Sequence, residues 1–173
     1  MLAYVFSHQP ASGVDVAVYE KALREFHHEL ASDRPVGFIA STTFHHDAGY
    51  SDWYLVEDSS ALDVLNSAAV TGLRAPKHDV AAAMATNGAG KLYSLVQGRP
   101  DLESLHEVGF SKPAGMAYAD LYARLEPFAA VPGAALWRRM MVLGPPPEFC
   151  LVAQASVELP SEFKPEPRER RQI

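Results

Sequence analysis

The sequence has very little cysteine: Cys150 is the only one among 173 residues. A single thiol excludes an intramolecular disulfide and any zinc site built on cysteines. Basic residues are also outnumbered, with 15 Lys and Arg against 21 Asp and Glu and a formal net charge of −6. Because binding to a nucleic-acid backbone needs a concentrated basic surface, this balance argues against a nucleic-acid partner.

Long apolar runs and the common phosphate or hydrolase motifs are missing as well. No uninterrupted apolar stretch reaches the roughly 18 residues that cross a bilayer, and residues 1–6 are too short and uncharged for a signal peptide. We therefore expect a cytoplasmic protein without a membrane partner. The absence of a Gly-rich phosphate loop, a G-x-S-x-G elbow and an H-E-x-x-H pattern disfavours nucleotide cofactors, triad hydrolysis and zincin chemistry.

What the sequence does contain is the composition of a globular protein, with 48% apolar and 10% aromatic residues. Apolar periodicity and turn residues divide the first half into short elements. They predict a strand over residues 1–7, an amphipathic helix from Val14 to Pro35 and a hairpin formed by residues 38–44 and 53–56. A helical connector follows over residues 59–90, and we expect Asn87-Gly88-Ala89-Gly90 to break it.

The same order of elements recurs in the second half. A strand is predicted over residues 92–96, a helix over 116–128 and a second hairpin from residues 135–143 and 149–157. An offset of 96 positions places Trp53 on Phe149 and gives both hairpins the same loop length. This recurrence indicates an internal duplication. The alternative is one α+β domain whose two hairpins merely look alike.

We therefore predict one compact domain built from two repeats, residues 1–58 and 91–157, joined by the connector at 59–90. The second repeat carries an insertion over residues 101–114, either a lid or contact loop or a solvent-facing helical turn. Residues 158–173 are rich in proline and charge, and we expect them to form a frayed tail that Phe163 could anchor.

A β-α-β-β unit repeated once resembles the ferredoxin-like dimeric α+β barrel superfamily. That group includes antibiotic-biosynthesis-type monooxygenases, EthD-like proteins, muconolactone isomerase and chlorite dismutase. The resemblance covers residues 1–157 and rests on element order. It implies an α+β fold of two fused ferredoxin-like repeats with antiparallel sheets, helices on the outer face, and a pocket between sheet and helices or within the barrel. It transfers no catalytic residue, because no motif of a single member occurs.

One edge of the predicted first repeat collects polar and aromatic residues. The first and second strands end where the third begins, which brings together His8, His45, His46, Tyr50, Asp52 and Trp53. Imidazoles and a carboxylate beside an indole indicate a general-base or metal site, and the alternative is a set of solvated histidines at the ends of loops. We select His8 and His45 as candidate bases, and Trp53 and Tyr4 as candidate ligand contacts.

A pair of arginines, Arg138-Arg139, interrupts an apolar strand, so one of them must point to each face of the sheet. We select Arg138 as a candidate clamp for an anionic ligand, unless Glu148 or Glu57 neutralises it internally. Cys150 on the adjoining strand is expected to be a small buried hydrophobe.

Four other histidines carry weaker expectations. Of His27 and His28, which point about 100° apart on one helix, one should border the core and the other should be exposed. His78 is either a polar residue at a helix start or a pocket residue, and His106 has no obvious partner.

The leading hypothesis is a small-molecule-binding protein, with no cofactor, that acts as a monooxygenase or isomerase on a small aromatic or acidic compound. One alternative is a non-catalytic interaction module that forms a homodimer. Another is a haem or metal protein that uses an edge histidine.

Overall fold

The computed structural model describes all 173 residues. The N-terminal half, residues 1–98, contains β1 (Leu2–Pro10), α1 (Val16–Ser32), β2 (Phe38–His46), β3 (Gly49–Val56), α2 (Ser59–Ala69), α3 (Arg74–Ala83) and β4 (Ala85–Gly98). The C-terminal half, residues 106–173, contains β5 (His106–Phe110), α4 (Tyr118–Ala129), β6 (Ala135–Arg139), β7 (Phe149–Ala153), a 3-10 turn (Ser161–Phe163), β8 (Glu166–Glu169) and β9 (Arg171–Gln172). None of the helices has the length and apolarity needed to cross a membrane.

All nine strands belong to one antiparallel sheet in the order β8-β5-β7-β6-β4-β1-β3-β2-β9. β8 and β9 follow one another along the chain, yet β8 pairs with β5 at one edge and β9 pairs with β2 at the other. The C-terminal segment therefore joins the two edges and closes the sheet into a barrel. Closure leaves few unpaired strand edges for association with other chains.

The strand order confirms the predicted α+β fold of two fused ferredoxin-like repeats with helices outside the sheet. It runs β4-β1-β3-β2 in the N-terminal half and β8-β5-β7-β6 in the C-terminal half, so the two halves have the same topology. In each half, the fourth strand also pairs with the other half, β4 with β6 and the C-terminal segment with β2.

The predicted start of the second repeat differs from the structure. Residues 92–96 belong to β4, the fourth strand of the first half, and the second repeat begins with β5, inside the predicted insertion at 101–114. The glycines expected to break the connector lie within β4. A Cβ at Gly88 would lie 2.6 Å from the Phe6 ring, and one at Gly90 would lie 2.6 Å from the Tyr4 hydroxyl, so these glycines allow close packing between strands.

The offset of 96 positions reproduces the hairpin pairing but exchanges the faces. It matches the pair Thr42 and Trp53 with Arg138 and Phe149, which also face each other across a hairpin. Trp53 points into the barrel, however, whereas Phe149 packs under α4. A register slip of one residue moves every side chain to the other face.

A different alignment of the two halves preserves both the strand pairing and the face of the sheet to which each side chain points. It matches the pair Thr42 and Trp53 with the pair Trp137 and Cys150. Asp52 in the N-terminal half then corresponds to Phe149 in the C-terminal half.

The C-terminal segment is an ordered part of the barrel, where the sequence predicts a frayed tail. Phe163 is fully buried, as an anchor should be. The guanidinium of Arg170 lies 3.8 Å from the centre of the Phe44 ring, and it donates hydrogen bonds to the Ser104 carbonyl and to Glu107. Backbone pairing and these contacts compensate for the polar composition that suggested disorder.

The core has one layer inside the barrel and another under the helices of each half. The inner layer, here called the lumen, is built from Ala3, Val5, Phe44, Trp53, Leu55, Tyr93, Ala135, Trp137, Cys150 and Val152. Cys150 is buried there, as expected. Outside the sheet, α4 buries Leu121 and Leu125 against Phe149, and α1 buries Phe26 and Leu30 in the N-terminal half. Burial of this apolar area is the main force that holds helices to the sheet.

Candidate functional site

A buried carboxylate lies at the centre of the N-terminal half. Side chains of β3 alternate between the two faces, so Tyr50, Asp52 and Tyr54 all point toward α1. Asp52 is only 4% exposed, and a charge buried to this extent requires partners.

Four donors surround Asp52. Thr43 donates its hydroxyl hydrogen to Oδ1 at 2.5 Å, and Tyr54 donates its own to Oδ2 at 3.1 Å. Nε2 of His8 lies 3.3 Å from Oδ2, and Nε2 of His27 lies 3.3 Å from Oδ1. The two hydroxyls occupy two of the roughly four acceptor positions that a carboxylate offers, and the two imidazoles lie beside the others at longer range.

These neighbours determine the protonation of the site. Burial alone would raise the pKa of Asp52, but His27 and His8 more than offset it and hold that pKa well below the usual range for a carboxyl. Burial and, next, the charge of Asp52 raise the pKa of Tyr54 well above its ordinary value. The same two causes raise the pKa of Tyr19. At neutral pH, Asp52 is therefore ionised and both phenols keep their protons.

The carboxylate also assigns the imidazole tautomers. Because an ionised carboxylate only accepts hydrogen bonds, His8 and His27 each direct an Nε2–H toward Asp52. Nδ1 of His8 then accepts from the Tyr19 hydroxyl at 2.5 Å, and Nδ1 of His27 accepts from the Ser41 hydroxyl at 2.6 Å. The separations of 3.3 Å are long for charge-assisted hydrogen bonds, so both Nε2–H groups are only weakly engaged.

Two adjoining cavities open beside this network, between the sheet and the helices. The outer pocket has a volume of about 440 Å³, and its walls include Tyr4, Phe6, Phe26, Tyr54, Leu62 and Leu65. The inner pocket has a volume of about 80 Å³, and both His8 and Asp52 line it. Phe6, Phe26, Tyr54 and His78 belong to both walls. An apolar aromatic pocket of several hundred Å³ with a few convergent polar groups is typical of small-molecule sites.

The structure separates the predicted site residues. His8 lies in the Asp52 network, and Tyr4 lines the outer pocket with its ring stacked on Tyr54 at 6.1 Å. His45 shares their face of the sheet, but its ring packs on Tyr50 at 4.8 Å and lines neither pocket. Trp53 points to the opposite face, into the lumen.

Arg138 lies in the C-terminal half, far from the Asp52 network in the fold. Its Nε is 3.2 Å from a Glu148 carboxylate oxygen, and its guanidinium carbon is 4.0 Å from the centre of the Tyr118 ring. Glu148 is thus the internal partner that the sequence offered as the alternative to an anionic ligand.

The remaining histidines occupy different environments. His27 is buried and His28 is exposed, as the helix geometry predicts. His78 lines both pockets and faces the Phe26 ring at 5.5 Å. His46 is buried on the lumen side, where burial first, and then the charge of Arg168, lower its pKa to about 4. No group of three or more His, Cys, Asp or Glu side chains is arranged to hold a metal ion.

Sequence reasoning missed His27, Tyr19 and Tyr54 as members of one network. The signal was present in β3, whose sequence Tyr-Ser-Asp-Trp-Tyr-Leu-Val places a carboxylate on the same face as two tyrosines. A carboxylate on the helix-facing side of a buried strand predicts hydrogen-bond donors on the elements that pack against that side. His27 follows Phe26 on α1 and shares the buried side of that helix.

No family model matches this sequence, and no curated protein matches it. Solved structures do match. One is a provisionally assigned monooxygenase from Lactobacillus acidophilus NCFM, with TM-score 0.63, 12% identity, and coverage of 99% of this chain and 93% of that one. A second is an anthrone oxidase-like protein, with TM-score 0.59, 11% identity, and coverage of 99% and 91%.

A third solved structure is a provisionally assigned chlorite dismutase, with TM-score 0.59, 9% identity, and coverage of 99% of this chain and 94% of that one. At these identities the similarity establishes the fold, and the chemistry has to be argued from the site itself.

Proposed function

We propose that this chain, which has the dimeric α+β barrel fold predicted from its element order, binds a small, mainly apolar aromatic molecule in the outer pocket and removes a proton from it. The proton acceptor is the network of Asp52, His8 and His27, and Tyr54 connects this network to the pocket. Because the pKa of Asp52 is depressed, the proton comes to rest on an imidazole of the network and not on the carboxylate. A cofactor-independent oxygenase and an isomerase share this first step.

The observation that carries the proposal is the position of Tyr54. Its side chain lines both pockets while its hydroxyl donates to Asp52. A ligand stacked on Tyr4 and Tyr54 therefore lies one hydroxyl away from an ionised, buried carboxylate. Tyr54 would take a proton from the ligand as it passes its own to Asp52, so Tyr54 stays neutral while the negative charge moves from the network to the ligand anion.

The solved structure of an anthrone oxidase-like protein suggests the substrate class. In an anthrone, loss of a proton from the CH₂ carbon gives an anion that can reduce dioxygen. The carbon is oxidised to a carbonyl, one oxygen atom is retained in it, and the other leaves as water with the two hydrogens of the CH₂ group. Dioxygen from solution is the oxidant, and the protein supplies the base and the apolar surroundings.

The test is oxygen uptake with anthrone as the probe, corrected for oxidation in buffer alone. We expect saturable turnover that falls about 100-fold or more in Asp52→Asn, because the substitution interrupts the proton path from Tyr54 to the imidazoles. Tyr54→Phe should also lose turnover, whereas Tyr122→Phe in the C-terminal half is the matched control and should keep it. Binding without oxygen uptake would favour the isomerase, and absence of saturable binding would contradict the proposal.

A haem protein is the alternative function, but the residues of the outer pocket are poorly suited to hold haem. His8 and His27 direct both ring nitrogens at protein groups, which leaves His78 as the pocket residue with a ring nitrogen to offer. The two carboxylates of haem need cationic or donor partners, but the pocket wall contains Asp63 and no lysine or arginine. We derive no step through haem.

A further inference from the structure

The lumen contains a cavity of about 190 Å³ that shares no lining residue with either pocket. Strands β1, β3 and β4 form one wall, and β5, β8 and the loop at residues 145–147 form the other. A water molecule occupies about 30 Å³ in the liquid, so the space holds roughly six waters or one small organic molecule.

Two buried donors on the cavity wall have no partner. Ser51 and Trp53 are 3% and 2% exposed, and neither the Ser51 hydroxyl nor the Trp53 indole N–H makes a hydrogen bond within the chain. Buried donors without an acceptor are rare because each costs free energy. Both belong to residues that line the cavity.

The same wall carries an unpaired cation. Lys91 of β4 and Trp53 of β3 both lie opposite Val5 of β1, one on each side of that strand. The three side chains therefore share one row of the lumen. Arg168 and Arg170 both form ion pairs with Glu107, but Lys91 forms none. Burial lowers the pKa of the Lys91 ammonium.

We propose that this lumen cavity binds a small monocarboxylate, whose oxygens accept from the Lys91 ammonium, the Ser51 hydroxyl and the Trp53 indole N–H. On the opposite wall, Glu107 pairs with Arg168 and Arg170, so Glu166 is the carboxylate without an ion pair, and it penalises an anion with two or more charges more than a monoanion. Val5 and the prolines at 145–147 give a short apolar chain a surface to contact. The site is distinct from the outer pocket and does not depend on the function proposed there.

The experiment is a titration of the ¹⁵N-labelled chain with propionate, and separately with inorganic phosphate, at constant pH and ionic strength. The two tryptophans give two indole N–H signals, and Trp137→Phe assigns the signal of Trp53. We expect propionate to shift the Trp53 signal saturably, with a dissociation constant about tenfold higher in Lys91→Met. Lys21→Met is the matched control, because it removes the same charge from an exposed side chain and should leave binding unchanged.

Three results would overturn the assignment. One is the absence of a saturable shift with propionate, another is tighter binding of phosphate than of propionate, and the third is equal weakening in Lys21→Met and Lys91→Met. Ser51→Ala is a second, smaller change for the case in which Lys91→Met does not fold, and it should weaken propionate binding several-fold. Unchanged binding in Ser51→Ala would also contradict the site.

Discussion

The two halves of the barrel have the same strand order, but they fill the space beneath their helices differently. In the C-terminal half, Phe149 packs with Phe110, Leu121 and Leu125 in an apolar layer. In the N-terminal half, the equivalent position is Asp52, surrounded by imidazoles and hydroxyls beside two pockets. The C-terminal half thus has an apolar layer between helix and sheet, whereas the N-terminal half has polar groups at the equivalent positions.

The connectors explain why the outer pocket lies in the N-terminal half. In the N-terminal half, α2 and α3 span residues 59–83 and stand over the sheet as an additional wall. The corresponding stretch of the C-terminal half has a single 3-10 turn, and Phe163 from that turn fills the core. A long helical connector therefore holds space open, and a short one closes it.

The largest effect on stability is expected in the packed half. Phe149→Ala removes a fully buried ring and should lower the free energy of unfolding by about 3–5 kcal/mol. Urea denaturation measures this loss. Anthrone binding should stay unchanged, because the outer pocket contains no residue from that layer, and a change in binding would mean that the two halves are coupled.

Asp52→Asn tests the polar half and should lower the free energy of unfolding by about 2–3 kcal/mol, since the amide NH₂ group replaces one acceptor oxygen and faces two of the four donors. The pKa of Asp52 is depressed in the folded state, so its ionisation stabilises the fold above about pH 4, the ordinary value for an aspartate. That stabilisation is lost as the pH falls below 4. Urea midpoints from pH 7 to pH 3 should therefore decline more in the native chain than in Asp52→Asn, and parallel declines would contradict the account.

His46 gives the halves different responses to mild acid, because neither β6 nor β7 contains a histidine. Its pKa of about 4 lies below the ordinary 6.5, so the unfolded chain binds this proton first. The neutral His46 ring contributes fully to the free energy of unfolding above pH 6.5, and this contribution should fall by roughly 2 kcal/mol as the pH drops toward 4. Hydrogen exchange should show earlier loss of protection in β2 and β3 than in β6 and β7, and His46→Asn should remove the difference.

Tyr54→Phe is the smallest of these changes and should cost about 1 kcal/mol, the net value of one hydrogen bond to Asp52. The equivalent position in the C-terminal half is Leu151, which shows that the fold itself needs no hydroxyl there. Thermal unfolding measures the small loss. A loss as large as that of Asp52→Asn would indicate that Tyr54 is mainly structural.

The sequence predicts the fold better than the site. Element order and turn residues are local signals, and they correctly indicated a duplicated ferredoxin-like unit. The prediction that Gly88 and Gly90 break the chain was wrong. These glycines lie in β4 and allow close packing against Phe6 and Tyr4, a tertiary contact that the local sequence does not reveal. The prediction of a frayed tail was wrong because the backbone of this segment pairs with β2 and β5, whose paired residues lie at least 57 positions away along the chain.

The candidate site was likewise predicted only where local signals determine it. His8 and Asp52 were grouped correctly by their place at one strand edge, but His27 reaches Asp52 from a helix, and only the packing angle of α1 brings it there. Trp53 and Asp52 are neighbours in sequence, yet they face opposite sides of the sheet. The alternation of side chains along β3 is a local signal, and it is sufficient to place these two residues on different faces.

The most direct test of the account is a titration of the aromatic side-chain signals with anthrone by NMR. The account predicts saturable shifts for Tyr4, Tyr54 and His78 in the N-terminal half and none for Tyr118 and Tyr122 in the C-terminal half. Shifts around Tyr118 and Tyr122, or no shift at Tyr54, would show that the polar layer around Asp52 is a packing solution and not a ligand site.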